Sequence, residues 1–189
     1  MYTSVSGNIE IVDAAMAGNK MYILTTMDFG GIPIMRVICK DMTTDTNCFP
    51  LFGGLATFSA STSGPVHSAW ARRILYDSRY GLFVVGKIFT DAHGWEMAVA
   101  RLDANTGAHI NSFGSNGEIH GLPTWGPQSG SVLDVFDIAV VPNGTPGGAR
   151  LYIAGDIKLT ATDYDGLIWG VDPNTGITSP NWAWITRYY

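Results

Sequence analysis

The pattern closest to a metal site in this chain is Asp163-Tyr-Asp165-Gly166, two carboxylates on alternate positions with a glycine behind them. Carboxylates at that spacing can turn oxygens toward Ca2+, a hard cation that collects roughly six to eight oxygen ligands. The more distant bidentate Glu of a full calcium loop is missing, so a plain polar turn competes with the metal reading at Asp163 and Asp165. Asp41 and Asp45 form a weaker pair of the same kind. The four histidines, His67, His93, His109 and His120, lack the spacing of a zinc site, and two cysteines cannot build a structural cage. No nucleophile elbow of the Gly-x-Ser-x-Gly type, no His-Glu-x-x-His and no phosphate-cradling glycine loop occurs, so hydrolysis has no positive support.

Trp125 lies in a connection rich in proline and glycine, His120-Gly-Leu-Pro-Thr-Trp-Gly-Pro-Gln-Ser-Gly130. A ring on such a loop can stack on a sugar or a peptide, and the competing reading tucks it back over a strand edge. Asn143-Gly-Thr145 fits the N-glycosylation pattern, a motif too short to carry weight. Cys39 and Cys48 stand nine positions apart around a polar segment. If the flanks pair as antiparallel strands the thiols can meet in a disulfide; otherwise they are two small, half-buried strand residues.

The elements that position these groups follow from composition. In 189 residues, 46% are apolar, only 14% are charged and 23 are glycine, which suits short strands with many turns and is poor in the helix formers that exposed helices need. A net charge of -5 without any basic run argues against nucleic acid. The longest apolar runs fall far short of the roughly 20 residues of a membrane-spanning helix, so no membrane insertion is expected. Residues 1–7 carry no signal-peptide pattern, which leaves localisation open with a slight lean to a secreted or cell-surface protein.

Three segments superpose: Met21-Tyr-Ile-Leu-Thr25, Leu82-Phe-Val-Val-Gly86 and Leu151-Tyr-Ile-Ala-Gly155, at spacings of 82 − 21 = 61 and 151 − 82 = 69. Each follows another apolar strand across a turn rich in Gly, Asn, Asp or Pro, over residues 11–17, 71–76 and 135–141. A third strand comes next, over residues 32–39, 95–102 and 167–171, and a fourth over residues 47–58, 108–119 and 181–188. Between the last two, Asp103-Ala-Asn-Thr-Gly107 and Asp172-Pro-Asn-Thr-Gly176 read as turns in which the carboxylate accepts backbone amides and glycine takes the left-handed position. The first unit places Cys39 against Asp103 and lacks the Asn-Thr-Gly turn. The expectation is one all-β domain over residues 1–189, made of three four-stranded antiparallel blade-like repeats at about 9–58, 66–120 and 132–189.

Val99-Ala-Arg-Leu-Asp-Ala-Asn-Thr-Gly107, followed by Asn111-Ser-Phe-Gly114 and Asn116-Gly117, resembles the delta-60 type of β-propeller repeat. The third unit, with Val171-Asp-Pro-Asn-Thr-Gly176 and Trp182, is similar to the quinoprotein-like repeat, where such a turn precedes a docking Trp. The resemblance implies a partial β-propeller. Propellers close with roughly four to eight blades, so three blades leave two apolar faces open. Self-association of two copies into a six-bladed homodimer is the natural completion, the alternatives being a piece of a longer chain or a rearranged barrel or sandwich. In a propeller the first strand of each blade lines the central channel, which makes Asp13 and Asp137, with Ala71 at their place in the second unit, candidate ligand-binding residues. The competing role is to satisfy backbone amides at a strand entrance.

Function is then expected to be a non-catalytic binding or scaffold module for a protein or glycan, with Asp13, Asp137 and Trp125 as binding residues and no cofactor, calcium at Asp163 and Asp165 being the one ion left open. A carbohydrate-binding, lectin-like surface module and a propeller-scaffold enzyme of quinoprotein or lactonase type are the rival readings.

Overall fold

The computed structural model describes residues 8–49, 66–91, 94–121, 131–142, 148–158, 164–178 and 184–187. Among these there is no helix, and twelve strands form three antiparallel sheets. Sheet 1 holds β1 (Ile9–Ala17), β2 (Lys20–Phe29), β3 (Ile32–Asp41) and β4 (Thr46–Asn47). Sheet 2 holds β5 (Val66–Asp77), β6 (Gly81–Thr90), β7 (Gly94–Leu102) and β8 (Glu118–Gly121). Sheet 3 holds β9 (Ser131–Val141), β10 (Arg150–Lys158), β11 (Tyr164–Val171) and β12 (Trp184–Arg187). Within each sheet the strands lie in chain order, an up-and-down meander.

The sheets stack face to face through two cores. Alternation along β6 sends Leu82, Val84 and Ile88 into the core shared with sheet 1 and Phe83 and Val85 into the core shared with sheet 3. The unbroken apolar run of β6 is therefore what a strand buried on both faces requires. In β7, Ala98, Ala100 and Leu102 face sheet 1, while Met97 and Val99 face sheet 3. Among the described residues neither core joins sheet 1 to sheet 3.

The same details recur in each sheet. Every first strand carries a bulge at the same place, with Val12, Arg72 and Phe136 as the extra residues, and β5 and β9 each carry a second register shift nearer their start. This bulge sets the register that follows: Asp13 pairs with Leu24, Arg73 with Val85, and Asp137 with Ala154. The counterpart of the two aspartates in sheet 2 is thus Arg73, two residues on from the Ala71 expected from alignment. At each junction a methionine also fills a glycine notch. A Cβ on Gly86 would lie 2.7 Å from the Met35 sulfur and 2.2 Å from the Trp70 carbonyl, and one on Gly155 would lie 3.0 Å from the Met97 methyl and 2.6 Å from the Asp134 carbonyl. Burying each methionine fully contributes about 1.5–3 kcal/mol.

Two further expectations are corrected. The turn of the first unit is present, shifted by two residues: Asp41 pairs with Lys20, its carboxylate accepts the amides of Thr43 (2.8 Å) and Thr44 (3.2 Å), and Asp45 takes the left-handed place of Gly107 at φ 53°. Aspartate tolerates that conformation, so the turn survives without its glycine. The fourth strand of the second unit is also shorter than expected, running only over Glu118–Gly121. Residues 108–117 of the second unit fold mainly into turns, because Gly114, Asn116 and Gly117 all adopt positive φ and Phe113 drops into the core. Residues 50–65 and 181–183, on which much of the other two expected strands falls, lie outside the described residues.

Candidate functional site

A cleft of about 370 Å³ opens where the turns of sheets 1 and 2 meet. One wall is the β5–β6 turn. Asp77 accepts the Arg79 amide at 2.8 Å and grips the Arg79 guanidinium through both oxygens, at 3.1 and 2.8 Å. The Arg79 side chain beside it holds the Asp77 carboxyl below the usual range, against the opposing effect of burial. Gly81 closes the turn at φ 89°, where a Cβ would stand 2.7 Å from the Leu102 carbonyl.

The opposite wall is the Asp103–Gly107 turn. Asp103 Oδ1 accepts the amides of Asn105 (2.9 Å) and Thr106 (2.8 Å) and the Thr106 hydroxyl (3.0 Å). Burial works against ionisation, but these donors and the nearby Lys20 ammonium outweigh it and hold the carboxyl below its ordinary value. The turn is therefore rigid, with its carboxylate oxygen committed inward.

Three tyrosines furnish the cleft. Tyr22 is buried, donates to the Ala104 carbonyl at 2.8 Å and stacks on Tyr76 with centroids 6.0 Å apart. Burial first, then the neighbouring Tyr76 and Asp103, push its phenol pKa up, so it stays a neutral donor. Tyr80 lies within 5.1 Å of the Arg79 guanidinium and 5.8 Å of that of Arg101, measured from the ring centroid. Arg101 is nearly buried and donates to the main-chain oxygens of Tyr80 (2.7 Å) and Asn174 (3.2 Å). Desolvation lowers its pKa, in part offset by Tyr80 and Asp172. Lys20 donates to the Asn105 side-chain oxygen at 2.9 Å. The cleft thus combines tyrosine rings, cationic donors and an amide, a set able to bind a polar ligand.

The residues singled out from the sequence fall elsewhere. Asp13 accepts the amides of Ala14 (2.9 Å) and Ile74 (3.1 Å), and Asp137 accepts the Ile138 amide (2.9 Å) and stands 3.8 Å from Arg73 Nε. The two aspartates therefore engage consecutive residues of β5, one from each neighbouring sheet, and stitch the first strands together. Asp165 is buried at 2% exposure between Ile157 and Arg187 in register, and neither carboxylate oxygen has a hydrogen-bond partner among the described residues. Asp163 and Trp125 lie outside the described residues, as does Asn143-Gly-Thr145. Among the described residues no three His, Cys, Asp or Glu side chains gather as a metal cage. Asp41 serves its turn, and Asp45 pairs with Lys40 at 3.4 Å.

Cys39 and Cys48 form a disulfide across β3 and the segment after β4, with Cα atoms 5.2 Å apart. Sequence reasoning missed the cleft, whose residues come from three separate segments, and also a buried Glu96–His120 pair at the other end of β7, 2.9 Å apart. Tyrosines clustered at the ends of β2 and β5 were the available signal for the cleft. Compared with family models, curated proteins and solved structures, the chain matches none.

Proposed function

We propose that this chain is a binding module in which propeller-like sheets act as scaffold and the cleft between sheets 1 and 2 is the recognition site. The observation that carries the reading is the tyrosine- and cation-lined cleft, held between two turns that are each locked by an aspartate. Preorganised polar groups on rigid turns bind without a large ordering cost. The disulfide fits an oxidising compartment such as the cell exterior.

The test replaces Ser78, exposed on the lip of the cleft, with tryptophan. Wild-type protein is expected to bind selected glycans on an array and Ser78→Trp to lose that binding while unfolding at the same denaturant concentration. Undiminished binding by Ser78→Trp would remove the cleft from the account.

A second reading concerns the open faces of the stack. Ile9, Ile11 and Met16 on sheet 1 and Phe136 and Ile168 on sheet 3 are large apolar side chains exposed at 39–71%. Pairing of a second copy across these faces would complete a six-sheet ring and cover them. Molar mass in solution tests this: a two-chain particle supports it and a stable monomer contradicts it.

A further inference from the structure

We infer that the cleft between sheets 1 and 2 takes a carboxylate-bearing sugar, such as a uronic-acid unit of an acidic glycan; this rests on the cleft being the recognition site. The chain as a whole is acidic, at a net charge of -5, yet the cleft gathers Lys20, Arg79 and Arg101. Their pairing differs. Arg79 is neutralised by Asp77, whereas Arg101 gives its hydrogen bonds to main-chain oxygens and Lys20 to an amide oxygen, and neither forms an ion pair among the described residues.

Asp103, the one carboxylate among the described residues that line the cleft, has its oxygen Oδ1 engaged by three donors of its own turn and stands against three cations, Lys20, Arg79 and Arg101. An ammonium has three protons to give, of which Lys20 directs one to Asn105. A ligand carboxylate at Lys20 meets a charge-assisted donor, which is the stronger class of hydrogen bond. The half-buried rings of Tyr76 and Tyr80 offer an apolar body with a polar tip, matching a sugar ring that has apolar faces and a hydroxylated rim. The volume of about 370 Å³ sits at the small end of ligand pockets, consistent with one or two sugar units and too small for a folded protein segment.

The test is calorimetric titration with a tetrasaccharide alternating glucuronic acid and N-acetylglucosamine, against the neutral tetrasaccharide of N-acetylglucosamine. The acidic probe is expected to bind about tenfold more tightly, a preference worth about 1.4 kcal/mol. That preference should vanish in Lys20→Gln, which removes the charge from a partly exposed side chain and leaves it an N–H donor. Equal affinity for both probes, abolished for both by Ser78→Trp, would overturn the acidic preference and leave the cleft as the site. Tight acidic binding that survives Ser78→Trp would overturn the cleft itself, and no binding of either probe would overturn the inference.

Discussion

The two inter-sheet junctions are built from the same parts and finish differently. Each has a methionine in a glycine notch, and each has an aromatic pair at its turn end: Tyr22 with Phe49 at 6.0 Å between sheets 1 and 2, Phe83 with Phe113 at 5.8 Å between sheets 2 and 3. Between sheets 2 and 3 the described residues of the turn end pack closely together. The Gly114 amide donates to the Thr175 carbonyl at 2.8 Å, and a Cβ on Gly176 would stand 2.8 Å from Ile119 and 3.1 Å from the Gly114 nitrogen. Between sheets 1 and 2 the corresponding end is held by single side chains, Tyr22 to Ala104 and Lys20 to Asn105, and a cleft remains. A phenol and an ammonium stand where the other junction has phenylalanine and glycine, and the packed junction becomes an open cleft.

The largest test of this shared construction is to fill the notches. Gly86→Val and Gly155→Val each force a branched side chain onto a backbone carbonyl, and each is expected to cost 3 kcal/mol or more, on the order of the worst overpacking effects, or to prevent folding. Thr25 occupies the same register place in sheet 1, on the face where no further sheet packs among the described residues, but it is buried and donates its hydroxyl to the Arg36 carbonyl at 3.3 Å, so Thr25→Val is expected to cost about 1 kcal/mol, the net worth of that bond. Urea unfolding of the three variants decides whether the junctions, and not the position in the strand, set the cost.

A smaller effect separates the junctions from each other. Reduction of Cys39–Cys48, which closes a short loop beside the core of sheets 1 and 2, is expected to lower stability by about 2–3 kcal/mol. Hydrogen exchange should show the loss in β3 and β4 while β10 and β11 keep their protection; a uniform loss would mean the two junctions unfold as one unit.

The smallest expected effect is pH dependence. Asp77 and Asp103 have folded pKa values below the unfolded value of about 3.9, so their stabilising contribution is complete above that pH and is lost as pH falls through the folded values. Tyr22 is shifted upward, so its contribution is present below about pH 10 and is lost above it. Stability should be flat between about pH 5 and 9 and decline on both sides. Replacing Asp103 with Asn should weaken the acid limb, and an unchanged limb would mean that the turn adds nothing to the junction.

Much of this was legible in the chain. The apolar runs at 21–25, 82–86 and 151–155 mark the second strand of each sheet, and the Asp-x-Asn-Thr-Gly turns fold as their residues demand. The bulges were not legible, because an extra residue leaves no mark in a run such as Ala71-Arg-Arg-Ile74, and they moved the counterpart of Asp13 to Arg73. The turn at Asp41 was hidden by an aspartate standing where glycine was sought. The cleft was hidden because residues 20–22, 76–81 and 101–105 meet only when the sheets stack. The contacts of Asp13 and Asp137 with β5 were not legible either, because they depend on the bulged register of the neighbouring sheets.

The most direct test of the central claim is backbone amide chemical-shift mapping during titration with the glucuronic acid tetrasaccharide. The account predicts that perturbed amides concentrate in residues 20–22, 76–81 and 103–107, with residues 172–176 of the junction between sheets 2 and 3 unmoved. Perturbations centred on residues 172–176, or on the first strands around Asp13 and Asp137, would contradict it.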